Sequence, residues 1–306
     1  MKKVISLLLA ALLLLGMAAP ALAAGEAELS VYSSYRIPFG SMRMTAHRGY
    51  SSMAPENTLP AFRLAGEYGF WGAECDTAPT ADGVWVIMHD DTVDRMTDGE
   101  GKVKDITYAE IRALTVDAGS NVERFPETKV PTLTEYLDVC KEYGLHPVIE
   151  IKGNATVADM DSLAALLSAR GEKDMFTLIS FGRAQLSRIK ELLPEIPAFL
   201  LVSTEAGEEA IDFCRANRID GLDFICLLED ALIKKIVASG LKTMAWTVDD
   251  IDGADRLYRL GVRDITTNRL TQNEPQGNAF QRLLWRLKDY FAALIGRFTG
   301  FFEKVC

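Results

Sequence analysis

Short apolar runs alternate with amphipathic helical stretches along most of this chain, and this alternation constrains the fold more than any other feature. The apolar runs end near nine positions: His47, Asp76, His89, Lys152, Ser180, Val202, Asp223, Thr247 and Thr267. Helical stretches are predicted at 58–69, 132–144, 157–170, 183–193, 206–216, 229–240 and 250–260. Strands and helices that alternate over about 230 to 250 residues form parallel βα units, so we predict an α/β fold with a closed (β/α)8 TIM barrel.

Two features complicate a simple barrel. There are nine apolar runs for the eight strand positions of a barrel. The run at 84–89 follows the run that ends near Asp76 after only an Asp82-Gly83 turn, with no helix between them. One of these two runs is therefore expected to be irregular. The polar segment 90–131 is too long for an ordinary loop, and we interpret it as a small insertion over one face. A doubly wound open sheet is the alternative fold, but no Gly-x-Gly-x-x-Gly turn follows the first strand.

A secretory signal peptide is predicted at residues 1–23. Two lysines precede a long uncharged apolar run, and small residues follow at Ala21 and Ala23. These three regions are typical of an export signal, although an uncleaved N-terminal anchor is the alternative. We therefore expect an exported protein that is extracellular, periplasmic or on the outer face of the membrane, with the barrel domain at 41–274.

The C-terminal segment 276–306 is predicted to form an amphipathic helix. Its large apolar residues recur at helical spacing, and the stretch 280–304 has a basic polar face although the whole chain is acidic. Contact with an anionic membrane surface would use both features. Packing against the barrel or against a second copy of the chain is the alternative.

Charge and residue counts exclude several classes of function. The formal net charge is −10, which argues against a nucleic-acid partner because binding a phosphate backbone normally requires a basic surface. None of the five cysteines forms a Cys-x-x-Cys pair, which argues against a thiolate zinc site or a redox dithiol. The three histidines, His47, His89 and His146, are the candidates for imidazole chemistry.

Charged residues cluster where the predicted strands end. Glu74 and Asp76 are two residues apart, as are Glu150 and Lys152, so each pair points to one face of its strand. In a barrel the inward face at the carboxyl ends of the strands holds the active site. Three carboxylates that converge there need a cation between them, and oxygen ligands favour Mg²⁺ or Ca²⁺ over zinc.

These segments resemble the glycerophosphodiester phosphodiesterase family over about 230 residues, from Ala46 to Asn268. The matching motifs are His47-Arg48-Gly49, Ala54-Pro55-Glu56-Asn57-Thr58, Ala61-Phe62, Glu74-x-Asp76, Thr80-x-Asp82-Gly83, His89-Asp90-x-Thr92, Arg95-x-Thr97, Gly101, Glu150-x-Lys152, Ser180-Phe181, Trp246-Thr247-Val248 and Thr267-Asn268. The chain departs from the family pattern at Arg263-Asp264, where Asp-Gly is usual, and at Asp249, where Asn is frequent.

The resemblance implies a TIM barrel with a small insertion after the second histidine, and a set of site residues. It implies a divalent metal held by carboxylates, with two histidines as general acid and base and two cations that contact phosphate. On this chain the metal ligands are Glu74, Asp76 and Glu150, the acid and base are His47 and His89, and the phosphate contacts are Arg48 and Lys152.

Three further residues are placed by their position on the strands. Phe181 and Trp246 follow later strands, where they would line a pocket for a glycerol or alcohol group or simply pack together. His146 begins its strand, at the end of the barrel away from the active site, so we expect it to be structural.

The predicted activity is metal-dependent hydrolysis of a glycerophosphodiester to sn-glycerol 3-phosphate and an alcohol. An anionic phosphodiester needs charge neutralisation and proton transfer, which metal, Arg, Lys and His supply. The nucleophile is water or a neighbouring hydroxyl of the substrate. Alternatives are a lysophospholipase D acting on a lysophospholipid, a phosphatidylinositol phospholipase C-like enzyme, and a catalytically inactive barrel that serves as a surface binding module.

Overall fold

Eight parallel strands close into a barrel, and a ninth strand pairs outside it. The structure is a computed structural model that describes residues 42–170, 176–204 and 207–271. The strands are β1 (Arg43–Ala46), β2 (Gly72–Pro79), β3 (Trp85–Ile87), β4 (His146–Ile151), β5 (Thr177–Ser180), β6 (Ala198–Val202), β7 (Gly221–Ile225), β8 (Lys242–Trp246) and β9 (Asp264–Thr267). The parallel ladder runs from β1 through β2 and β4 to β9, and β9 pairs with β1. The predicted TIM barrel is therefore confirmed.

Helices connect the successive barrel strands. They are α1 (Leu59–Glu67), α2 (Tyr108–Ala113), α3 (Leu133–Tyr143), α4 (Asp159–Ala169), α5 (Arg183–Leu192), α6 (Glu208–Ala216), α7 (Asp230–Ala238) and α8 (Ile251–Arg259). Each of the seven predicted helical stretches contains one of these helices, and α2 is an additional short helix within 90–131. None of the helices among the described residues has the length and apolar character needed to span a membrane.

The ninth apolar run is an antiparallel strand outside the barrel. β3 pairs with the end of β2, from Thr77 to Pro79, through a turn in which Gly83 has a φ of +79°. Because this hairpin extends the ladder, β2 continues three residues beyond Asp76, where the sequence predicted that it would end. The short turn without a helix is thus explained by antiparallel pairing.

The segment that follows β3 has a small apolar core of its own. Val93, Met96, Val103, Ile111 and Val116 are buried in one cluster with side chains of the β2–β3 hairpin. Two 3-10 turns, at 103–105 and 122–124, and helix α2 connect these residues. The segment therefore packs on the hairpin at the end of β2 that carries the acidic residues.

Apolar side chains fill the barrel interior below the polar end. Val148, Ile179, Phe199, Leu201 and Met244 form one buried cluster inside the barrel. With branched and aromatic side chains filling this layer, the interior is a packed core rather than a channel. This layer closes the barrel interior beneath the pocket at the carboxyl end of the strands.

His146 lies at the first residue of β4, at the amino end of the barrel. Its ring stacks on Trp71 with centroids 4.4 Å apart, and Nε2 is 2.8 Å from the hydroxyl of Thr177. Burial, with a smaller contribution from Arg43, lowers the pKa of His146 to about 4. The side chain is thus held neutral in a structural contact.

This lowered pKa predicts acid sensitivity of the fold. The unfolded chain binds a proton near pH 6.5 and the folded chain near pH 4, so the free energy of unfolding falls as pH decreases through this window. In His146→Gln the slope between these pH values should be smaller by up to about 1.4 kcal/mol per pH unit. Urea unfolding at several pH values measures this slope, and identical slopes in both proteins would contradict the assignment.

The predicted signal peptide at 1–23 and the predicted C-terminal helix at 276–306 lie outside the described residues.

Candidate active site

One pocket at the carboxyl ends of the strands collects most of the predicted site residues. Its lining combines residues of β2 and β4 to β9 with residues that directly follow strands: His47, Arg48, Glu74, His89, Glu150, Lys152, Ile179, Phe181, Leu201, Asp223, Trp246, Thr247 and Thr266. Asp76 is the one predicted site residue outside this lining, and it lies directly beside it. The structure thus brings together all nine residues singled out from the sequence.

Glu74, Asp76 and Glu150 form an acidic cluster. One carboxylate oxygen of each lies within 4.8 Å of the others, because Asp76 pairs in register with Glu150 and shares a strand face with Glu74. Oε2 of Glu74 accepts a hydrogen bond from the Arg48 amide at 2.7 Å, whereas its buried Oε1 finds no donor in the described part of the chain. An oriented carboxylate with an unpartnered oxygen fits a site that can hold a metal ion.

The surrounding protein shifts the pKa values of the three carboxyl groups in different directions. Burial and the neighbouring carboxylates raise the pKa of Glu74 well above its usual value, and that of Glu150 to about 7. Burial also opposes ionisation of Asp76, but Lys152 and Arg48 outweigh it and lower its pKa to about 2. Lys152 Nζ lies 2.9 Å from Glu150 and 3.2 Å from Asp76. Asp76 is therefore the readily ionised member of the cluster, whereas the other two carboxyl groups resist ionisation unless further positive charge is present.

Asn57 orients Asp76 from the loop before α1. Its side-chain amide donates to Asp76 Oδ2 at 2.7 Å, and its carbonyl accepts the Asp76 amide at 3.2 Å. Asn57 itself has a φ of +58°, a left-handed conformation that Asn tolerates. This buried pairing fixes one carboxylate of the cluster without adding charge.

His47 is held by a chain of hydrogen bonds from the neighbouring strand end. Asn268 donates its side-chain amide to Asp249 at 2.6 Å and its backbone amide to the same carboxylate at 2.7 Å. Its carbonyl oxygen therefore faces His47 and accepts from Nδ1 at 2.8 Å. Burial and Arg48 lower the pKa of His47, so the ring is neutral with Nε2 available to accept a proton.

The turn after β1 requires glycine directly beyond these residues. Gly49 has a φ of +75°, and a Cβ there would lie 2.7 Å from Ala61 at the start of α1. Because the chain can approach α1 this closely, His47 and Arg48 are held against the barrel opening.

His89 is held by a chain of ion pairs. Nδ1 lies 2.7 Å from the carboxylate of Asp90, and Asp90 accepts from Arg95 at 2.6 Å. Arg95 also donates to Glu56 at 2.7 Å, and Glu56 accepts from Arg48 at 2.9 Å. The hydrogen bond from Arg95 lowers the pKa of Asp90, which keeps this carboxylate ionised. The chain connects His89 to the arginine beside His47.

Phe181 and Trp246 lie together on the pocket wall. Their ring centroids are 5.8 Å apart in an edge-to-face arrangement, and Phe181 is 50% exposed. Trp246 donates its indole N–H to the Asp223 carbonyl at 3.3 Å. The two rings thus both pack together and line the pocket, with Phe181 at its solvent edge.

Sequence reasoning missed two kinds of residue: those that position the histidines, and one buried acid that lines the pocket. Glu56, Arg95 and Asn268 occur in the family motifs, but the sequence did not predict their roles, because the Glu56–Arg95 and His47–Asn268 contacts join residues that are distant in sequence. A strand was predicted to end near Asp223, and an acid at such a position was the signal that could have identified it, although β7 continues to Ile225.

The match to known proteins covers most of the chain. The glycerophosphoryl diester phosphodiesterase family model matches residues 47–272. The glycerophosphodiester phosphodiesterase 1 of Homo sapiens is 46% identical, with 75% of this chain and 79% of that protein covered. The glycerophosphodiester phosphodiesterase of Caldanaerobacter subterraneus subsp. tengcongensis is 33% identical, covering 73% of this chain and 92% of the other.

Solved structures are similar over the same part of the chain. An Oleispira antarctica phosphodiesterase in complex with the product sn-glycerol-3-phosphate is 29% identical with a TM-score of 0.67, covering 76% of this chain and 96% of that one. A putative glycerophosphoryl diester phosphodiesterase from Silicibacter pomeroyi is 25% identical with a TM-score of 0.68, covering 76% and 92%. With the family model matched from His47 to beyond β9, this chain belongs to the glycerophosphoryl diester phosphodiesterase family.

Proposed function

We propose that this chain hydrolyses glycerophosphodiesters to sn-glycerol 3-phosphate and an alcohol, using a divalent cation and two histidines. The observation that carries this proposal is the convergence of His47 and His89 with a buried acidic cluster and two cations in one pocket. The relatives named above support the substrate class, since the Oleispira antarctica phosphodiesterase was solved with sn-glycerol-3-phosphate as its product.

Glu74, Asp76 and Glu150 are the residues that would hold the cation. Their oxygen ligands suit Ca²⁺ or Mg²⁺, and the unpartnered Oε1 of Glu74 offers a ligand atom. When bound, a divalent cation would neutralise negative charge on the phosphate group and on the attacking and leaving oxygens.

Arg48 and Lys152 are proposed to bind the phosphate oxygens. Both line the pocket, and both lie against Asp76, at 3.4 Å and 3.2 Å respectively. Asp76 and its neighbours hold the two cationic side chains in place. Arg48 and Lys152 therefore form a localised positive surface in the pocket of an otherwise acidic protein. Such preorganised charges stabilise the transition state more effectively than mobile ones.

His47 is proposed as the general base and His89 as the general acid. His47 is neutral and its Nδ1–H donates a hydrogen bond to Asn268, so Nε2 is free to accept the proton of the attacking water or substrate hydroxyl. His89 is oriented by Asp90 through Nδ1, which leaves its other nitrogen to protonate the leaving alcohol oxygen.

Hydrolysis of glycerophosphocholine tests the function directly. We expect turnover that yields glycerol 3-phosphate and choline, measured by an enzymatic product assay, with lysophosphatidylcholine and phosphatidylinositol as comparison substrates. Preferred cleavage of lysophosphatidylcholine would instead support a lysophospholipase D, and preferred cleavage of phosphatidylinositol a phospholipase C-like enzyme. Absence of turnover on all three would favour a binding module.

Replacing His47 should remove proton transfer while leaving substrate binding largely intact. For His47→Ala we expect kcat to fall by roughly 100- to 10,000-fold, the usual contribution of general acid-base catalysis. His146→Gln is the matched control, because His146 lies at the opposite end of the barrel, and its kcat should stay within about twofold. Full turnover by His47→Ala would overturn the assigned role.

Replacing a ligand of the acidic cluster should weaken metal binding. For Glu74→Gln we expect the Kd for Ca²⁺ or Mg²⁺, measured by calorimetry on chelator-treated protein, to rise by more than about 100-fold. Wild-type activity should be lost in EDTA and restored by the divalent cation. Glu142→Gln, on the exposed side of α3, is the control for charge removal. Activity that persists in EDTA would contradict metal dependence.

We also propose that the protein is exported with residues 1–23 removed, and that 280–304 contacts an anionic membrane surface. The lysines and apolar run of the first segment and the basic amphipathic pattern of the second support these proposals. N-terminal sequencing of the mature protein tests the first proposal, and a mature chain that begins at Met1 would overturn it. Vesicle binding with and without residues 276–306 tests the second, and unchanged binding would overturn that one.

A further inference from the structure

Asp223 is a buried acid in the pocket with no role in the chemistry proposed above. It lies in the middle of β7, is 1% exposed, and lines the same pocket as the histidines. Its buried Oδ1 accepts no hydrogen bond from any residue that the structure describes. Burying a polar group in this way costs free energy, so the fold gains nothing from a carboxyl group here.

The other buried acids of the barrel interior each have a protein partner. Asp76 is hydrogen-bonded by Asn57 and Lys152, and Asp264 forms an ion pair with Arg43. Glu74 accepts the Arg48 amide through Oε2, and its unpartnered Oε1 belongs to the acidic cluster. Asp223 instead has acidic neighbours: burial and the carboxyl groups of Glu150 and Asp264 raise its pKa well above the usual range. Asp223 is therefore suited to a hydrogen-bond donor that is supplied from outside the chain.

Asp223 is separate from the acidic cluster that would hold the cation. The group of mutually close carboxylate oxygens consists of Glu74, Asp76 and Glu150. In the closed ladder β7 stands across the barrel from β2, which carries two of these three acids. The pocket thus extends from the acidic cluster to Asp223 on the far wall.

A second unpartnered oxygen lies in the same pocket. The hydroxyl of Thr266 on β9 is buried, lines the pocket and finds no hydrogen-bond partner among the residues described. Its strand pairs with β8, which pairs with β7, and Asp223 is in register with Met244 on β8. The wall formed by these strands therefore offers two polar oxygens, with Trp246 between them in the ladder order.

The chemistry of this wall selects the kind of group that it can bind. An anionic group is disfavoured by the surrounding acids, and an apolar group would leave the carboxyl oxygen unpaired. A hydroxyl group donates to a carboxyl oxygen whether the acid is ionised or protonated. A leaving alcohol of varied size needs the open side of the pocket, where Phe181 is half exposed.

We propose that Asp223, with Thr266, forms a subsite for the hydroxyl groups of the glycerol arm and so determines specificity for a polyol phosphodiester. This inference rests on the proposed function and assigns which arm of the substrate occupies the buried wall.

The test compares substrates with and without the terminal glycerol hydroxyl. Glycerophosphocholine and 2-hydroxypropylphosphocholine differ only in that hydroxyl, and both keep the neighbouring hydroxyl that is a candidate nucleophile. The kcat/KM is measured for both with wild type, Asp223→Leu and Asp223→Asn. We expect Asp223→Leu to lose roughly 10- to 100-fold on glycerophosphocholine and less than about threefold on 2-hydroxypropylphosphocholine, and Asp223→Asn to lose less because its amide oxygen still accepts. Asp220→Asn, whose partners Lys190 and Ala198 lie at the other end of the strand, is the matched control.

A binding measurement separates this subsite from catalysis. The inhibition constant, or the rise in Tm caused by the ligand, is determined for glycerol 3-phosphate and for propyl phosphate. Wild type should bind glycerol 3-phosphate more tightly, and Asp223→Leu should bind the two alike. The Tm of unliganded Asp223→Leu reports whether the variant folds, and Asp223→Asn, which keeps the shape of the side chain, provides the same comparison if it does not.

Three outcomes overturn the inference. Equal losses on both substrates would make Asp223 structural, and no loss on either would leave it without a part in binding. If Asp223→Leu loses activity on glycerophosphocholine but keeps full activity on glycerophosphoethanol, the loss depends on choline, and this result would also overturn the inference. If wild type is inactive on glycerophosphocholine, the proposed function fails; the binding comparison with glycerol 3-phosphate then still decides whether Asp223 recognises hydroxyl groups.

Discussion

Mutual repulsion among three closely placed carboxyl groups is the constraint around which this end of the barrel is arranged. Glu74, Asp76 and Glu150 lie close together because adjacent strands are in register. Arg48 and Lys152 stabilise the charge of Asp76, whereas burial and the neighbouring carboxylates raise the pKa of the other two groups. Removing one partner from such a cluster would leave an uncompensated buried charge, which is far more costly than losing an exposed ion pair. The packed apolar layer below supplies the rigidity that holds like charges at this distance.

The two histidines are held by different kinds of contact. Asn268 holds His47 through neutral hydrogen bonds anchored on Asp249, whereas Asp90 holds His89 through a chain of charged groups. A hydrogen-bond partner on Nδ1 fixes the tautomer and the orientation of an imidazole ring. The two proposed proton-transfer roles therefore fall to rings that are oriented by different partners.

The barrel, its seven connecting helices and the strand-end position of the site residues were predictable, because each follows from apolar periodicity or from the two-residue spacing along a strand. The continuation of β2 beyond Asp76 was not, since it depends on pairing with β3 rather than on local pattern. The contacts of Glu56 and Asn268 were also inaccessible, because they join positions 39 and 221 residues apart in the sequence. Asp223 differs from these residues, because the sequence alone already placed this acid near the predicted end of a strand.

The segment after β3 has its own small core, yet it contributes Arg95 to the ion pairs that hold His89. Segments with separate cores open locally with a free energy below that of global unfolding. A local opening of this segment would withdraw Arg95 from Asp90 and Glu56 together, and so would uncouple His89 from Arg48. The contacts that hold His89 therefore depend on the packing of this segment as well as on the barrel, and an exchange of the segment between relatives must carry the arginine with it.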